Sequence, residues 1–262
     1  MKPKIMGILN VTPNSFSDGG DFNTFESAVT QAKLMLDQGA DIIDIGGEST
    51  RPGSDPVNHN DELSRTIPVV KELVKQNPNV TISIDTTKYE VAKQALDSGA
   101  KIINDVSGLT TEPRFVDLAK EYDADLVIMH KKGSPKEMQV KPEYDDVVQE
   151  VYDFLDEQAK FAEGVNNVFV DVGIGFGKTL EHNLSLLSNL EKYNGITGKQ
   201  LLGISRKSFI KMMFGIENAK DRDTHTAIIH SLLLNKKVDI LRVHNVKLVR
   251  EMLELNRVFS KD

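Results

Sequence analysis

Cysteine is absent from all 262 residues of the chain, which excludes disulfides, thiolate metal sites and thiol nucleophiles. The six histidines lack the His-x-His and HExxH spacings of zinc sites, so they predict no zinc centre. Every apolar run is too short to span a membrane. The opening Met-Lys-Pro-Lys leads directly into an apolar segment and leaves no room for a signal peptide. We therefore expect a cytoplasmic protein without a membrane partner.

Basic residues are in the minority, since 32 Lys and Arg stand against 39 Asp and Glu and give a formal net charge of −7. Because a nucleic-acid backbone selects for a basic surface, we expect no nucleic-acid partner. An anionic small molecule needs only a local cluster of cations and stays compatible with this charge. No linker, low-complexity segment or change of composition divides the chain, so we predict a single domain over residues 1–262.

Eight short apolar segments recur along the chain, and each is rich in Ile and Val at successive positions. This pattern is typical of parallel strands that are covered by helices and therefore buried on both faces. Each segment is followed by an amphipathic stretch. The predicted strands are residues 4–11, 41–47, 80–85, 101–105, 125–130, 167–171, 200–205 and 239–244.

The stretches between the strands have helical periodicity. From Phe25 to Gln38 the apolar residues form one stripe at helical spacing, and Gly39 is placed to end that helix. Thr87 and Glu90 have the spacing of a capping box at the start of another helix. Eight strand–helix units favour a closed (β/α)₈ barrel, an α/β fold also called a TIM barrel, over an open sheet.

Cationic side chains follow three of the predicted strands, at the barrel end where catalytic groups lie in this fold. Arginine forks suit phosphate oxygens and lysine supplies a mobile point charge, so this set predicts a site for an anionic substrate. An ion pair with Asp or Glu at the barrel rim is the alternative role for each arginine. The residues are Arg51, Arg206, Lys207, Arg242 and His244.

Two carboxylates, Asp85 and Asp171, also stand at strand ends. A carboxylate accepts two hydrogen bonds side by side, so it suits a heterocycle with adjacent N–H donors, and helix N-capping is the alternative role. The segment GIGFGKT (173–179) is similar to a nucleotide P-loop. However, Val172 stands where a P-loop has its first glycine, and Asp171 would repel a phosphate, so we reject that interpretation.

In order and spacing, seven segments resemble the motifs of the dihydropteroate synthase family, and the resemblance covers essentially the whole chain. It implies a transferase with a (β/α)₈ barrel, usually a homodimer, that belongs to folate biosynthesis and is the target of sulfonamides. Such an enzyme condenses 6-hydroxymethyl-7,8-dihydropterin diphosphate with p-aminobenzoate to give 7,8-dihydropteroate and pyrophosphate. The segments are GILNVTPNSFSDGG (7–20), DIGGESTRPG (44–53), SIDT (83–86), INDVSG (103–108), DVGIGFGK (171–178), GISRKSFI (203–210) and RVHNV (242–246).

The resemblance also implies roles for the polar residues at the strand ends. Asp85, Asn104 and Asp171 correspond to positions that hold the pterin, whose 2-amino group lies beside a ring N–H. Lys207 corresponds to a residue that reaches the pterin and lies near the p-aminobenzoate pocket. The remaining positions are implied to bind the pterin diphosphate, and they are Thr50, Arg242, Val243 and His244.

Two loops rich in Gly, Ser and Pro, 11–24 and 48–60, are implied to close over the substrates. Asn10 corresponds to the ligand of Mg²⁺, a cofactor that takes few protein ligands at a diphosphate site. Plain loop packing is the alternative role for Phe16. The residues implied for p-aminobenzoate binding and loop closure are Phe16, Asp18, Arg51, Pro52 and Ser208.

The mechanism implied by the resemblance begins with departure of pyrophosphate, because the pterin ring can delocalise the positive charge left on its methylene. Mg²⁺, Arg242 and His244 would stabilise the departing charge, and Asp85 would offset the cation. The arylamine is uncharged at neutral pH, so no strong general base is required. The expected catalytic residues are Asp85, Lys207, Arg242 and His244.

Two alternatives remain open at this point. A methyltetrahydrofolate-dependent methyltransferase barrel shares the pterin-binding Asp and Asn, although it would not need the Ser-Arg-Lys-Ser segment at 205–208. A noncatalytic pterin-binding homologue is the second alternative. It is favoured only by Asn14, where the family usually has Asp, and by Val172, where it usually has Pro.

Overall fold

Strands and helices alternate along the chain in the computed structural model, which describes residues 2–12, 20–49, 54–134, 137–138 and 140–259. Within these residues eight parallel strands form one sheet in the order β6-β5-β4-β3-β2-β1-β8-β7. The two ends of this order meet where Val170 of β6 forms a bridge with Gln200, just before β7. The sheet is therefore a barrel, which confirms the predicted fold. The strands are β1 Lys4–Asn10, β2 Ile42–Gly46, β3 Ile82–Asp85, β4 Ile102–Asp105, β5 Asp125–Met129, β6 Val168–Asp171, β7 Leu201–Leu202 and β8 Ile240–Val243.

The helices surround this barrel, and none in the described ranges is long and apolar enough to cross a membrane. The helix predicted from Phe25 begins earlier, at Gly20. The predicted capping box at Thr87 and Glu90 is wrong, because Lys88 is the N-cap and makes no side-chain cap bond. The α-helices are α1 Gly20–Asp37, α2 His59–Gln76, α3 Tyr89–Asp97, α4 Phe115–Glu121, α5 Val147–Phe161, α6 Leu180–Ser188, α7 Asn194–Thr197, α8 Ser208–Phe214, α9 Asp223–Leu233 and α10 Val246–Phe259, and 3₁₀ turns span Leu190–Tyr193, Ala219–Arg222 and Leu234–Lys236.

The alternation of side chains along each strand sorts residues between two apolar cores. One core lies between the strands and the helices, and it contains Leu241 and Val243 of β8. The other fills the inside of the barrel at its amino-terminal end. Because successive strand residues point to opposite faces, Ile240 and Arg242 face the barrel interior while Val243 faces the helices. The inner core consists of Met6, Ile42, Ile102, Val127, Leu201 and Ile240, with Phe169 packed against it.

Polar residues follow these inner apolar residues two positions later on several strands. Asn104 comes two residues after Ile102 in β4, and Asp171 comes two residues after Phe169. The strand period of two therefore places a polar layer directly above an apolar layer inside the barrel. This polar layer forms the floor of the site that is described below.

The loop after β6 packs against the loop after β5 so closely that only glycine fits at two positions. A Cβ atom on Gly173 would lie 1.8 Å from the carbonyl oxygen of His130, and one on Gly177 would lie 2.1 Å from that of Lys132. Both glycines also have positive φ, +66° and +67°. Gly215, which ends α8 with φ +70°, has nothing within 4 Å of such an atom.

We expect Gly173→Ala to lower the free energy of unfolding far more than Gly215→Ala does. Both changes place alanine at positive φ, which costs about 1–2 kcal/mol. Only Gly173→Ala also forces apart two backbone segments, which adds at least about 2 kcal/mol. Urea denaturation of both variants measures the difference, and equal losses of stability would contradict the close packing of these two loops.

Candidate active site

A cavity of about 870 Å³ opens at the carboxyl ends of the strands. Its walls come from several strand ends and from the loops that follow them, as the barrel fold predicts. Apolar side chains such as Ile8, Val106, Met129 and Met138 line it together with many polar ones. The sequence-predicted residues that line it are Asn10, Asp85, Asn104, Asp171, Arg206, Lys207, Ser208, Arg242 and His244.

Arg242 lies at the floor of this cavity between two carboxylates. Its Nε donates to Oδ2 of Asp44 at 2.6 Å, and its Nη2 donates to Oδ2 of Asp85 at 2.6 Å. The same oxygen of Asp44 accepts a hydrogen bond of 3.0 Å from Nδ2 of Asn104. A guanidinium group has five N–H donors, so these two bonds leave three for other acceptors. Asp44, which is fully buried, therefore fixes both Arg242 and Asn104.

The pKa values of this cluster follow from its burial and its charges. Burial raises the pKa of Asp85 to about 7, assisted by the neighbouring Asp44 carboxylate and opposed by Arg242. Burial alone would lower the pKa of Arg242, but the carboxylates of Asp44 and Asp85 outweigh it and raise that pKa. The arginine stays charged, and Asp85 can change its protonation state near neutral pH.

Asp171 lies at the end of β6, and its Oδ1 accepts the amide N–H of Gly173 at 2.8 Å. Burial raises the pKa of this carboxyl group, and the hydrogen bond from Gly173 opposes the rise. Its other oxygen, Oδ2, faces Gly203, where a Cβ atom would lie 3.4 Å away. The lack of a side chain at Gly203 keeps the space beside Oδ2 open to the cavity.

Lys207 follows β7, and its Nζ lies over the ring of Phe176 at 3.9 Å from the ring centre. This distance allows a cation–π interaction. Burial lowers the pKa of Lys207 to about 8, while the Asp171 carboxylate opposes the change. A lysine with this pKa loses its charge within the range of ordinary assay buffers.

His244 is oriented by Ser205. The Ser205 hydroxyl accepts the backbone N–H of His244 at 3.2 Å, and its oxygen lies 2.9 Å from Nδ1 of the same residue. A hydroxyl group can accept the first bond and donate the second. The ring is thereby fixed at the edge of the cavity, one residue past the end of β8, the strand that carries Arg242.

Arg206 shows that ion pairing at the rim accounts for one predicted anion-binding cation. Its Nε and Nη2 donate to the two oxygens of Asp223 at 2.7 and 2.8 Å, and Asn245 donates to the same carboxylate. The Arg206 backbone has φ +61°, which is unusual for a residue with a side chain. Its carbonyl oxygen accepts a bond of 2.9 Å from Arg222.

Some expectations from the sequence take a different form in the structure. The side chain of Val243 is buried in the core between strands and helices, so only its backbone is near the barrel interior. Asn10 lines the cavity at the end of β1, and the described residues contain no group of three or more His, Asp or Glu side chains that could hold a metal ion. The predicted residues outside the described ranges are Asn14, Phe16, Asp18, Thr50, Arg51 and Pro52.

Sequence reasoning missed several residues that organise the cavity. Of these residues, Asp44 was the easiest to find from the sequence. It is a charged residue inside the apolar segment DIIDIGG, and its position in the strand turns it toward the barrel interior. Phe176 and Asp223 carry no such signal, since an aromatic residue in a loop and an acidic residue at a helix start are both common. Their roles depend on contacts between distant parts of the chain.

Three comparisons with known proteins indicate the same enzyme family. The model of the family described as pterin binding enzyme matches residues 6–244. The dihydropteroate synthase of Synechocystis sp. is 43% identical over 252 residues, which cover 95% of this chain and 87% of that protein. A structure of Xanthomonas albilineans dihydropteroate synthase with 4-aminobenzoic acid is 38% identical, has a TM-score of 0.91, and matches 100% of this chain and 94% of that one. A structure of the same enzyme in complex with 7,8-dihydropteroate is 36% identical with a TM-score of 0.88, covering 100% of this chain and 95% of that chain.

We expect Asp44→Asn to lower the free energy of unfolding by about 3 kcal/mol at neutral pH, because it removes one of the two carboxylates that neutralise a buried arginine. Urea denaturation monitored by circular dichroism measures the change. Asp156→Asn is the matched control, since Asp156 pairs with Lys160 on the surface of α5 and should leave the denaturation midpoint unchanged. A wild-type midpoint for Asp44→Asn would show that the bridge to Arg242 does not stabilise the barrel.

Proposed function

The chain belongs to the pterin-binding enzyme family as one of its dihydropteroate synthases, and we propose that it joins 6-hydroxymethyl-7,8-dihydropterin diphosphate to p-aminobenzoate. The products are 7,8-dihydropteroate and pyrophosphate. The observation that carries this proposal is one cavity that combines two buried carboxylates, Asp85 and Asp171, with the cations Lys207 and Arg242. Carboxylates suit the N–H donors of a pterin, and cations suit its diphosphate.

The pterin ring would bind at the floor of the cavity. The carboxylate of Asp171, whose Oδ2 lies beside Gly203, would accept the 2-amino group and the adjacent ring N–H. Asn104, which Asp44 holds in position, would supply a further amide contact. The pterin is thereby recognised by groups that have fixed positions before it binds, which lowers the entropic cost of binding.

The diphosphate would extend from the ring toward β8. Three N–H donors of Arg242 are not used by Asp44 or Asp85, and His244 lies two residues farther along the chain, just past the end of β8. These groups would stabilise the negative charge that collects on pyrophosphate as the carbon–oxygen bond breaks. Asp85 would offset the positive charge on the pterin. We propose that Thr50 and the backbone of Val243 complete this diphosphate site.

The arylamine nitrogen of p-aminobenzoate would then attack the methylene carbon, form the new carbon–nitrogen bond and release a proton. The amine is neutral at physiological pH, so the enzyme only has to position it. Lys207 and Ser208 line the side of the cavity from which it would approach. The proposed p-aminobenzoate residues are Phe16, Asp18, Arg51, Pro52 and Ser208.

We also propose that the divalent metal of this reaction is Mg²⁺, with Asn10 as its protein ligand. Asn10 lines the cavity, and its side chain offers an amide oxygen, the kind of hard oxygen donor that Mg²⁺ prefers. Among the described residues, no three His, Asp or Glu side chains form a cluster that could hold a metal ion. Diphosphate oxygens and water would therefore provide the remaining ligands. Bound in this way, the ion would neutralise part of the charge on the diphosphate.

We propose that this enzyme assembles as a homodimer. We also propose that residues 1–262 form a single domain and that the enzyme acts in the cytoplasm. A groove of about 410 Å³ runs between α6, α8 and α9 and is lined mainly by apolar side chains, among them Leu187 and Phe209. Ile228 and Leu232 on α9 are 52% and 71% exposed beside it. Exposed apolar surface of this kind marks a contact with another protein surface.

The direct test of this function is pyrophosphate release from the pterin diphosphate, with and without p-aminobenzoate and Mg²⁺. We expect release that requires Mg²⁺ and, when p-aminobenzoate is present, one dihydropteroate formed for each pyrophosphate. Asp85→Ala and Lys207→Ala should each lower kcat/KM by about 100-fold, as the loss of one electrostatic contact to a transition state does. Lys211→Ala on α8 is the matched control, since Lys211 pairs with Glu217 at the surface.

Two outcomes of this assay would overturn the proposal. Tight binding of pterin diphosphate without any release of pyrophosphate would identify a noncatalytic homologue. Methyl transfer from methyltetrahydrofolate would identify the methyltransferase alternative.

The affinity for pterin diphosphate should fall as the pH rises through about 8, because the lowered pKa of Lys207 lets its ammonium group lose a proton there. An unperturbed lysine would keep its charge to about pH 10.4. Titration calorimetry without p-aminobenzoate measures this dependence. Lys207→Met should bind more weakly at low pH and show no decline through this range. An equal decline in both proteins would assign the titration to another group.

A further inference from the structure

The segment 173–179, GIGFGKT, carries a lysine that turns away from the cavity and into the protein. Lys178 is 1% exposed, although lysine is among the residues that are least often buried. Its Nζ lies 2.9 Å from Nδ1 of His130, 3.0 Å from the carbonyl oxygen of Gly173 and 3.1 Å from that of Phe176. The carbonyl oxygen of His130 is a fourth acceptor, at 3.4 Å.

These contacts join two loops of the barrel through one ammonium group. His130 follows β5, whereas Gly173 and Phe176 belong to the loop after β6. The amide N–H of Phe176 donates to the carbonyl oxygen of Gly173, so residues 173–176 form a turn, and two carbonyl oxygens of this turn accept from Lys178. The ammonium group therefore sits inside the turn and holds it against the loop after β5.

A buried ammonium group is strongly unfavourable unless hydrogen-bond acceptors surround it, and those of Lys178 do so. Burial lowers the pKa of Lys178 to about 7, and the Asp171 carboxylate opposes the change. Burial likewise lowers the pKa of His130 to about 3, and the charge of Lys178 adds to the effect. His130 is therefore neutral, and in the tautomer whose proton is on Nε2 its Nδ1 can accept from the ammonium group. Three N–H donors meet four uncharged acceptors, which offsets the cost of burial.

Two cavity residues depend on the turn that Lys178 holds. The amide N–H of Gly173 donates to Oδ1 of Asp171, the carboxylate proposed to grip the pterin. The ring of Phe176 lies beneath Nζ of Lys207. The packing of Gly173 against the carbonyl oxygen of His130 leaves no room for the turn to shift toward β5. Lys178 thus supports Asp171 and Phe176 through this turn, although its own side chain is buried behind the cavity wall.

We propose that Lys178 is a positioning residue for the synthase reaction: by binding the turn 173–176 to the loop after β5, it fixes Asp171 against the pterin ring. This inference rests on the proposed function, because Asp171 is assigned to the pterin there. The lysine of this P-loop-like segment therefore has a structural role, unlike the phosphate-binding lysine of a P-loop. The lysine binds the carbonyl oxygens of its own loop and faces away from the cavity.

The test uses Lys178→Met, which keeps most of the side-chain length and removes the charge and the donors. We expect the folded variant to bind pterin diphosphate about tenfold more weakly than wild type, with a matching loss in kcat/KM for the pterin substrate. Lys132→Met is the control. Lys132 lies in the loop after β5, is half exposed and donates to the carbonyl oxygen of Glu143, so this variant should bind normally.

A double-mutant cycle separates positioning from general stabilisation. If Lys178 acts through Asp171, Lys178→Met should weaken pterin binding only about twofold or less in an Asp171→Asn background. The dissociation constant is measured per folded molecule, with the folded fraction taken from circular dichroism. A variant that melts at lower temperature but binds the pterin with the wild-type constant would overturn the proposal, as would an undiminished tenfold effect in the Asp171→Asn background.

His130→Phe provides the same test if Lys178→Met does not fold. It removes one acceptor, keeps an aromatic ring next to Phe154, and leaves the carbonyl oxygen in place. We expect the pterin dissociation constant to rise about threefold, and an unchanged constant would overturn the proposal. A wild-type protein that neither binds the pterin diphosphate nor turns it over would instead refute the proposed function. Normal wild-type turnover with normal binding by the variants would refute only the role of Lys178.

Discussion

The buried bridge from Arg242 to Asp44 and Asp85 is the interaction on which the cavity depends. It joins β8 to β2 and β3, and through Asp44 and Asn104 it also reaches β4. A buried guanidinium group is strongly unfavourable unless carboxylates and hydrogen bonds compensate for its lost hydration. Two carboxylates do so here, and together they hold the arginine in one orientation. Four strands thereby present their polar side chains at fixed distances before any substrate enters.

This bridge lies directly on an apolar layer, and the strand period of two is what places one above the other. Ile240 and Arg242 are separated by a single residue, and so are Ile102 and Asn104. Much of the fold and of this layer could be predicted from the sequence, because runs of Ile and Val mark buried strands and a polar residue marks the point where each strand ends. The same parity turns Val243 toward the helices, although a diphosphate role was expected for it. Parity also explains why the expected site residues that lie on strands line one cavity, namely Asn10, Asp85, Asn104, Asp171 and Arg242.

The remaining features could not be predicted, because they are pairings between distant residues. Asp44 and Arg242 are 198 positions apart, and Lys178 and His130 are 48 apart, so only the closed barrel brings each pair together. The sequence left open whether each arginine binds substrate or a carboxylate. Arg206 binds Asp223, whereas Arg242 binds two carboxylates and keeps donors on the cavity side. The capping box at Thr87 failed because the helix begins at Tyr89, a shift that periodicity cannot detect.

The closure of the barrel between β6 and β7 has a mechanical consequence. β7 contains only Leu201 and Leu202, and its side of the barrel meets β6 through one bridge at Gln200, whereas β1 and β2 pair over five residues. Asp171 stands on one side of this seam and Lys207 on the other. Their separation is therefore set by side chains and loops, with little of the stiffness that a hydrogen-bond ladder provides. The wall of the cavity is compliant along this line, so a small displacement of β7 relative to β6 would change the width of the cavity while leaving the Arg242 bridge between β8, β2 and β3 intact.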